Sequence, residues 1–245
     1  MLAEDNDLNA EIATELMGEE GLLVDRAENG AHCLEMLEKN TGYQNFEIII
    51  VENNSTTDEI FRYYKELSGN RKIHLLRWGK EFNYSAINNF GVQYAKGEYF
   101  LLLNNDTEII NDDCLEELLG YCTREDVGAV GARLYYEDDT IQHAGVVIGL
   151  GAHRTAGHTH YRIPVQNLGY MGRLCYTQNV TAVTGACLLV KKSLYEQVGG
   201  LDENFVISLN DVDFCLKLRK LGLLNVWTPF AELYHCLLYT SDAAD

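Results

Sequence analysis

The sequence predicts an α/β domain with a mostly parallel central sheet and flanking helices. Three observations carry that prediction. Strand-like and helix-like periodicities alternate along most of the chain, as in strand–helix crossover units. Two runs, Phe46–Val51 (FEIIIV) and Tyr99–Leu103 (YFLLL), are strongly apolar, as strands covered on both faces are. Both end in polar clusters, Glu52-Asn53-Asn54-Ser55 and Asn104-Asn105-Asp106-Thr107-Glu108. An open α/β sheet places its ligand beyond such strand ends.

The elements follow in order. Met1–Ala3 reads as a strand stump, Leu8–Met17 as a helix closed at Gly18 or Gly21, Leu22–Arg26 as a short strand and Ala31–Leu37 as a helix. After the central strand Phe46–Val51 comes a helix over Thr57–Leu67, with an N-cap expected from Thr56 or Thr57. Ile73–Arg77 is a strand, and Tyr84–Ala95 a helix stopped at Lys96-Gly97. Tyr99–Leu103 is the next central strand, and Leu115–Cys122 a helix. Strands are expected at Gly128–Tyr136 and Ile141–Gly149. Residues 150–178, rich in Gly, His, Tyr and Arg, lack periodicity and read as a long functional loop. Val180–Val190 is a strand pair or bent strand. Asp211–Leu221 is a buried helix ended by Gly222, and Leu224–Trp227 and Ala231–Tyr234 are short strands around Pro229.

Composition narrows the function. The 245 residues are 47% hydrophobic and carry a net charge of −18. That length suits one large domain or two small ones. The negative charge excludes a nucleic-acid backbone as partner, because phosphate binding needs clustered Lys and Arg. No apolar run reaches the ~18 residues that mark a membrane span, and no signal peptide is visible, so a cytoplasmic protein is expected. Seven cysteines, odd in number and without a CxxC, read as reduced core thiols. Eleven acids but only Arg26 and Lys39 as bases lie in residues 1–40, a composition shift that sets a boundary near residue 40.

The acid-tipped strands hold the candidate chemistry. Asp106 and Glu108 are spaced i, i+2, so an extended backbone would put both carboxylates on one face. Such a pair suits Mg²⁺ or Mn²⁺ completed by ligand phosphates; a solvated turn capping the next helix is the alternative. Asp211 and Asp213 open a helix, either as dipole-matched caps or, for Asp211, as a general base. His153, His158 and His160 lack a companion carboxylate or thiol at zinc spacing and read as acceptor-loop or surface histidines. Trp78 and Trp227 read as packing residues.

From about Tyr43 to His235 the chain resembles inverting glycosyltransferases of the GT-A family 2 type, closest to polysaccharide and rhamnosyl transferases. The matching pieces come in the family's order: FEIIIVENNSTTDE, NYSAINNFGVQYAKGEYFLLLNNDTEI, GAVGARLYY, IQHAGVVIGLG, AVTGACLLVKKSLYEQVGGLDE, NDVDFCLKLRKLG and NVWTPFAELYH. The resemblance implies a Rossmann-like GT-A fold over residues 41–235. It implies a nucleotide-diphospho-sugar donor, a glycan or lipid-linked acceptor, polysaccharide or cell-surface glycan synthesis, and peripheral membrane association at most. Glu52 and Asn53 match the motif that contacts base and ribose, and Asn88 and Asn89 a segment beside the nucleotide. Asn104-Asn105-Asp106 stands where the family has its DxD, so Asn104 would bind ribose and Asp106 the metal, with Glu108 as helper. Asp211 matches the catalytic base, with Asn210 in place of the family's Glu. His235 matches a metal-ligating His, followed here by Cys236.

Both ends depart from that pattern. Residues 1–40 resemble the start of a two-component receiver domain, with Glu4-Asp5 as its acidic pair, and the family's first nucleotide-binding strand is missing. Residues 236–245 resemble a non-native tail. The chain thus reads as a chimera, with a receiver-type phosphorylation module or an inactive sugar-nucleotide binder as alternative functions.

Overall fold

A computed structural model of the chain describes residues 2–3, 26–27, 42–150 and 154–235. Strands β1 (Leu2–Ala3) and β2 (Arg26–Ala27) form a short parallel ladder. A crossover unit follows: β3 (Ile48–Glu52), α1 (Asp58–Leu67) and β4 (Ile73–Arg77). Next come α2 (Tyr84–Val92), β5 (Tyr99–Leu103), β6 (Thr107–Ile109), α3 (Cys114–Cys122) and β7 (Val127–Tyr135). The remainder is β8 (Ile141–His143), β9 (Val146–Ile148), β10 (Ala156–His158), a 3-10 segment (Tyr170–Cys175), β11 (Gln178–Val180), β12 (Cys187–Lys191), α4 (Lys192–Gln197), α5 (Asn210–Lys220) and β13 (Leu224–His235). The helices expected at Leu8–Met17 and Ala31–Leu37, the strand at 22–26 apart from Arg26, and the 236–245 tail lie outside the described residues.

The main sheet has seven strands, ordered β11-β13-β7-β12-β5, with β6 on β13 and β8 on β7. The α/β architecture is as expected, but this sheet is mixed where mostly parallel pairing was predicted. Among its described pairings β7–β13 is parallel, and β12–β5, β12–β7, β11–β13, β6–β13 and β7–β8 are antiparallel. An apolar run satisfies either pairing equally well, so its direction is not written in the periodicity.

Helices cover both faces. On one, Val212, Phe214, Cys215 and Leu218 of α5 pack on Ala129, Leu188, Val190 and Trp227. On the other, Cys114, Leu118 and Cys122 of α3 meet Val130, Leu134, Leu189, Val226 and Leu233. Neighbouring residues of β7, such as Ala129 and Val130, serve opposite cores because strand side chains alternate. Burying a leucine such as Leu118 or Leu218 in full contributes roughly 1.5–3 kcal/mol each. Gly131 makes a close approach: a Cβ there would lie 2.5 Å from Val183 Cβ. Gly131→Ala should therefore lower stability by about 1–3 kcal/mol through overpacking, visible as a reduced melting temperature with an unchanged far-UV spectrum.

Three local expectations change. FEIIIV is not a central strand among the described residues: β3 pairs with β4 alone, and Ile48–Val51 remain half-buried. It is held instead by α2, whose Gly91 leaves room for Val51 Cγ2, and by Glu47, whose carboxylate accepts from the N–H groups of Lys96 and Gly97. Thr57 begins α1 without a side-chain cap, whereas Asn83 caps α2 by accepting from Ala86 N at 2.9 Å. The two strands around Pro229 are one strand, β13. A register shift between Trp227 and Glu232 absorbs the proline, which has no N–H for the ladder.

Candidate functional site

The site lies where β5 and β13 end. Asn104 N–H donates to Ala186 O at 3.0 Å, and Asn104 O accepts from Thr107 Oγ1 at 2.8 Å. This clamp folds Asn105-Asp106 into a turn instead of an extended run. The turn carries Asp106 Oδ1 to 3.1 Å from Nε2 of His235, the last residue of β13.

Hydrogen bonds assign the His235 tautomer. Gln142, buried on β8, donates its Nε2 to His235 O at 3.1 Å, so its Oε1 is the atom that faces His235 Nδ1 at 2.6 Å. An amide oxygen only accepts, so His235 carries its proton on Nδ1. In the neutral ring Nε2 is then the acceptor nitrogen, and Asn104 Nδ2, a donor, lies 3.1 Å from it. In the neutral ring, His235 Nε2 and Asp106 Oδ1 are both acceptors and face each other at 3.1 Å. Asp106 Oδ1 is buried and lacks any hydrogen-bond partner. A cation satisfies both atoms at once. A carboxylate oxygen beside an imidazole nitrogen suits a divalent cation such as Mn²⁺, and an oxygen acceptor on the far ring nitrogen is the usual support for a metal-binding histidine. Among the described residues no group of three or more His, Cys, Asp or Glu forms, so a cation at this pair would need further ligands such as phosphate and water.

Glu108 does not join this pair. It pairs with Tyr234 across the β6–β13 ladder, while Thr107 pairs with His235, so Glu108 and His235 leave the sheet on opposite faces. The i, i+2 expectation fails because Asp106 sits in the turn and not in the strand.

Asp211 lies in the first turn of α5. Its Oδ2 accepts from Gly185 N at 2.9 Å and its Oδ1 from Val212 N at 2.7 Å. The turn Thr184–Ala186 ties the site together: Ala186 O holds Asn104, Gly185 N holds Asp211, and Gly185 O accepts from Tyr84 Oη at 2.8 Å. Burial, then the nearby Asp211 carboxylate, raises the Tyr84 phenol far above its ordinary value, and Asp106 adds to the effect. Tyr84 therefore remains a neutral donor close to both carboxylates.

The other predicted residues fare differently. Glu52 is 5% exposed; its carboxylate accepts from Ser55 N at 2.7 Å and lies 3.5 Å from Arg77 Nε. Asn53 donates to Trp78 O and Lys80 O, bracing the tips of β3 and β4. Asn89 is a fold clasp. Its Oδ1 accepts from Tyr195 Oη and Leu201 N, and its Nδ2 donates to Leu201 O and Glu203 Oε1. Those four bonds fill its valences and leave none for a nucleotide. Gly200 (φ +71°) permits this clasp, since a Cβ there would fall 2.5 Å from Asn89 Oδ1.

His158 is not a surface histidine. Its Nδ1 lies 2.8 Å from Nδ1 of the fully buried His143, whose Nε2 accepts from Thr184 N. Burial, reinforced by His158 and His235, holds His143 well below the usual histidine range, so it is neutral. His160 is half-buried, and His153 lies outside the described residues. Trp227 is fully buried, and Trp78 packs on Phe90 at 5.4 Å between ring centroids. Tyr84, Gln142 and His143 were not picked out from the sequence. The readable signal was IQH, two polar residues inside a strand buried throughout.

Comparison with known proteins shows the family and the fold. The "Glycosyl transferase family 2" model matches residues 26–199, so it begins before the boundary expected near residue 40. An uncharacterized protein, y4gI, of Sinorhizobium fredii is 47% identical over 197 residues, which are 80% of this chain and 22% of that protein. The O-antigen biosynthesis protein RfbC of Myxococcus xanthus is 39% identical over 196 residues, 80% of this chain and 15% of RfbC. This chain therefore spans under a quarter of either relative. Among solved structures, GalNAc-T7 with UDP, GalNAc and Mn²⁺ superposes with a TM-score of 0.66 at 13% identity, covering 84% of this chain and 41% of that one; at that identity the likeness speaks for the fold.

Proposed function

The chain belongs to glycosyl transferase family 2, and from that premise we propose that it transfers a sugar from a nucleotide-diphospho-sugar to an acceptor hydroxyl, with inversion, in polysaccharide synthesis. The observation that carries this reading is the buried pair of acceptors, Asp106 Oδ1 and His235 Nε2, 3.1 Å apart. A carboxylate repels a diphosphate unless a divalent cation lies between them. A metal bound there would supply Lewis-acid stabilisation of the leaving diphosphate.

The protein's own groups do the rest. Asp211 takes the proton of the acceptor hydroxyl, which attacks the anomeric carbon on the face opposite the diphosphate. Gly185 N–H and Val212 N–H fix the carboxylate's orientation. The neutral Tyr84 hydroxyl holds the Gly185 carbonyl and so keeps the turn in place.

The test is release of nucleoside diphosphate from a panel of sugar nucleotides. Release is expected with Mn²⁺, abolished by EDTA and restored by added metal. Equal release in EDTA would remove metal-dependent transfer from consideration. A thermal shift with sugar nucleotide and Mn²⁺ but no turnover in any arm would favour the inactive binder.

A further inference from the structure

No carboxylate side chain occurs between Asp139 and Glu196, although the chain has 37 acids and a net charge of −18. The same stretch holds Arg154, Arg162, Arg173, Lys191 and Lys192. It is a basic stretch in an acidic chain.

The stretch also exposes apolar side chains at one tip. Leu168 is 62% exposed, Tyr170 77% and Met171 81%. The tip is braced rather than loose. Leu174 at its base is buried in the core and donates its N–H to Leu168 O at 3.0 Å. The nearly buried Arg133 donates to Leu174 O and Val165 O, each at 3.4 Å. Met171 is held in the left-handed region (φ +52°) between Gly169 and Gly172, which are left-handed too. A strained, non-glycine backbone that points a large apolar side chain at solvent is a feature of contact sites. Arg173 follows two residues later. Arg162 stands two residues beyond His160, whose ring lies against Gly169.

We infer that the Leu168–Arg173 tip, with Arg162 beside it, docks on an anionic phospholipid bilayer. Leu168, Tyr170 and Met171 enter the headgroup–acyl boundary, and Arg162 and Arg173 meet lipid phosphates. Arg162 lies 3.6 Å from Asp138 in an exposed pair, an interaction weak enough to exchange for phosphate. A symmetric second copy on this tip would set arginine against arginine, whereas lipid phosphates complement them. The tip belongs to the segment whose His158 bonds His143 and whose Thr159 Oγ1 bonds Ala144 O. His143 in turn accepts from Thr184, beside the turn that holds Asp211.

The test is sedimentation of the full chain with vesicles of phosphatidylcholine, with and without phosphatidylglycerol. It needs no donor, acceptor or metal, so its outcome is separate from that of the transferase reading. Wild type should pellet with the phosphatidylglycerol vesicles and be released by high salt. The Tyr170→Ser/Met171→Ser double variant should bind at least about tenfold more weakly. Arg162→Gln and Arg173→Gln should each cost about fivefold. Phe61→Ser, an exposed apolar change on α1, should bind as wild type. The proposal is overturned if wild type stays in the supernatant, or if the double variant pellets like wild type. It is equally overturned if the tip substitutions instead dissolve a concentration-dependent dimer, which would give the tip to self-association.

Discussion

Asp211→Asn is expected to lower turnover by about 10²–10⁴-fold, the usual worth of a positioned general base. The donor dissociation constant should stay within about twofold, because a group that acts only on the acceptor contributes to the transition state and not to donor binding. Asparagine has nearly the same shape but offers one acceptor atom where aspartate offers two. Gly185 N or Val212 N therefore loses its partner, which costs about 1–3 kcal/mol and appears as a lower melting temperature. Stability and activity must be measured together for that reason. Asp213→Asn is the matched control. Asp213 lies in the same helical turn but pairs with Lys217 at 2.8 Å, and its loss should leave turnover near wild type. Wild-type turnover in Asp211→Asn, measured as product formed per unit of folded protein, would strike Asp211 from the mechanism.

Legibility in the sequence follows the range of the interaction. Elements set by local periodicity were readable: α1, α2, α3 and α5 lie within a few residues of their predicted spans. The pairing partners were not. Phe46–Val51 has the composition of a central strand, yet β3 pairs with β4 alone among the described residues, since composition specifies burial and not neighbours. The site divides in the same way. Asp106, Asn104 and His235 were named from the resemblance, and the fold brings these three together. Glu108 was placed by assuming an extended backbone, and the Asn104–Thr107 clamp removes that assumption. Asn89 sits in a recognised motif, but its amide is committed to residues 195–203, a long-range contact that no local pattern encodes. Gln142 was missed because a buried polar residue shows its purpose only when its partner is known.

Gln142→Leu should weaken Mn²⁺ binding by about 10- to 100-fold with both proposed ligands still in place. Gln142 Oε1 is the acceptor that keeps the His235 proton on Nδ1. Leucine fills a similar volume but accepts nothing. The imidazole then gains by moving its proton to Nε2 and donating to Asp106 Oδ1, 3.1 Å away. That hydrogen bond satisfies both atoms and closes the seat against a cation. The same change leaves His235 O without the Gln142 Nε2 donor, so melting temperatures must accompany the titration. Gln142→Glu separates the two effects, because its carboxylate still accepts from Nδ1 and should keep Mn²⁺ affinity near wild type. Isothermal titration of the apo protein with Mn²⁺ reads this without donor or acceptor. Equal affinity in Gln142→Leu and wild type would mean that the tautomer does not control the seat. Loss in both Gln142 variants would mean that the side chain's fit, and not its hydrogen bond to His235, is what matters.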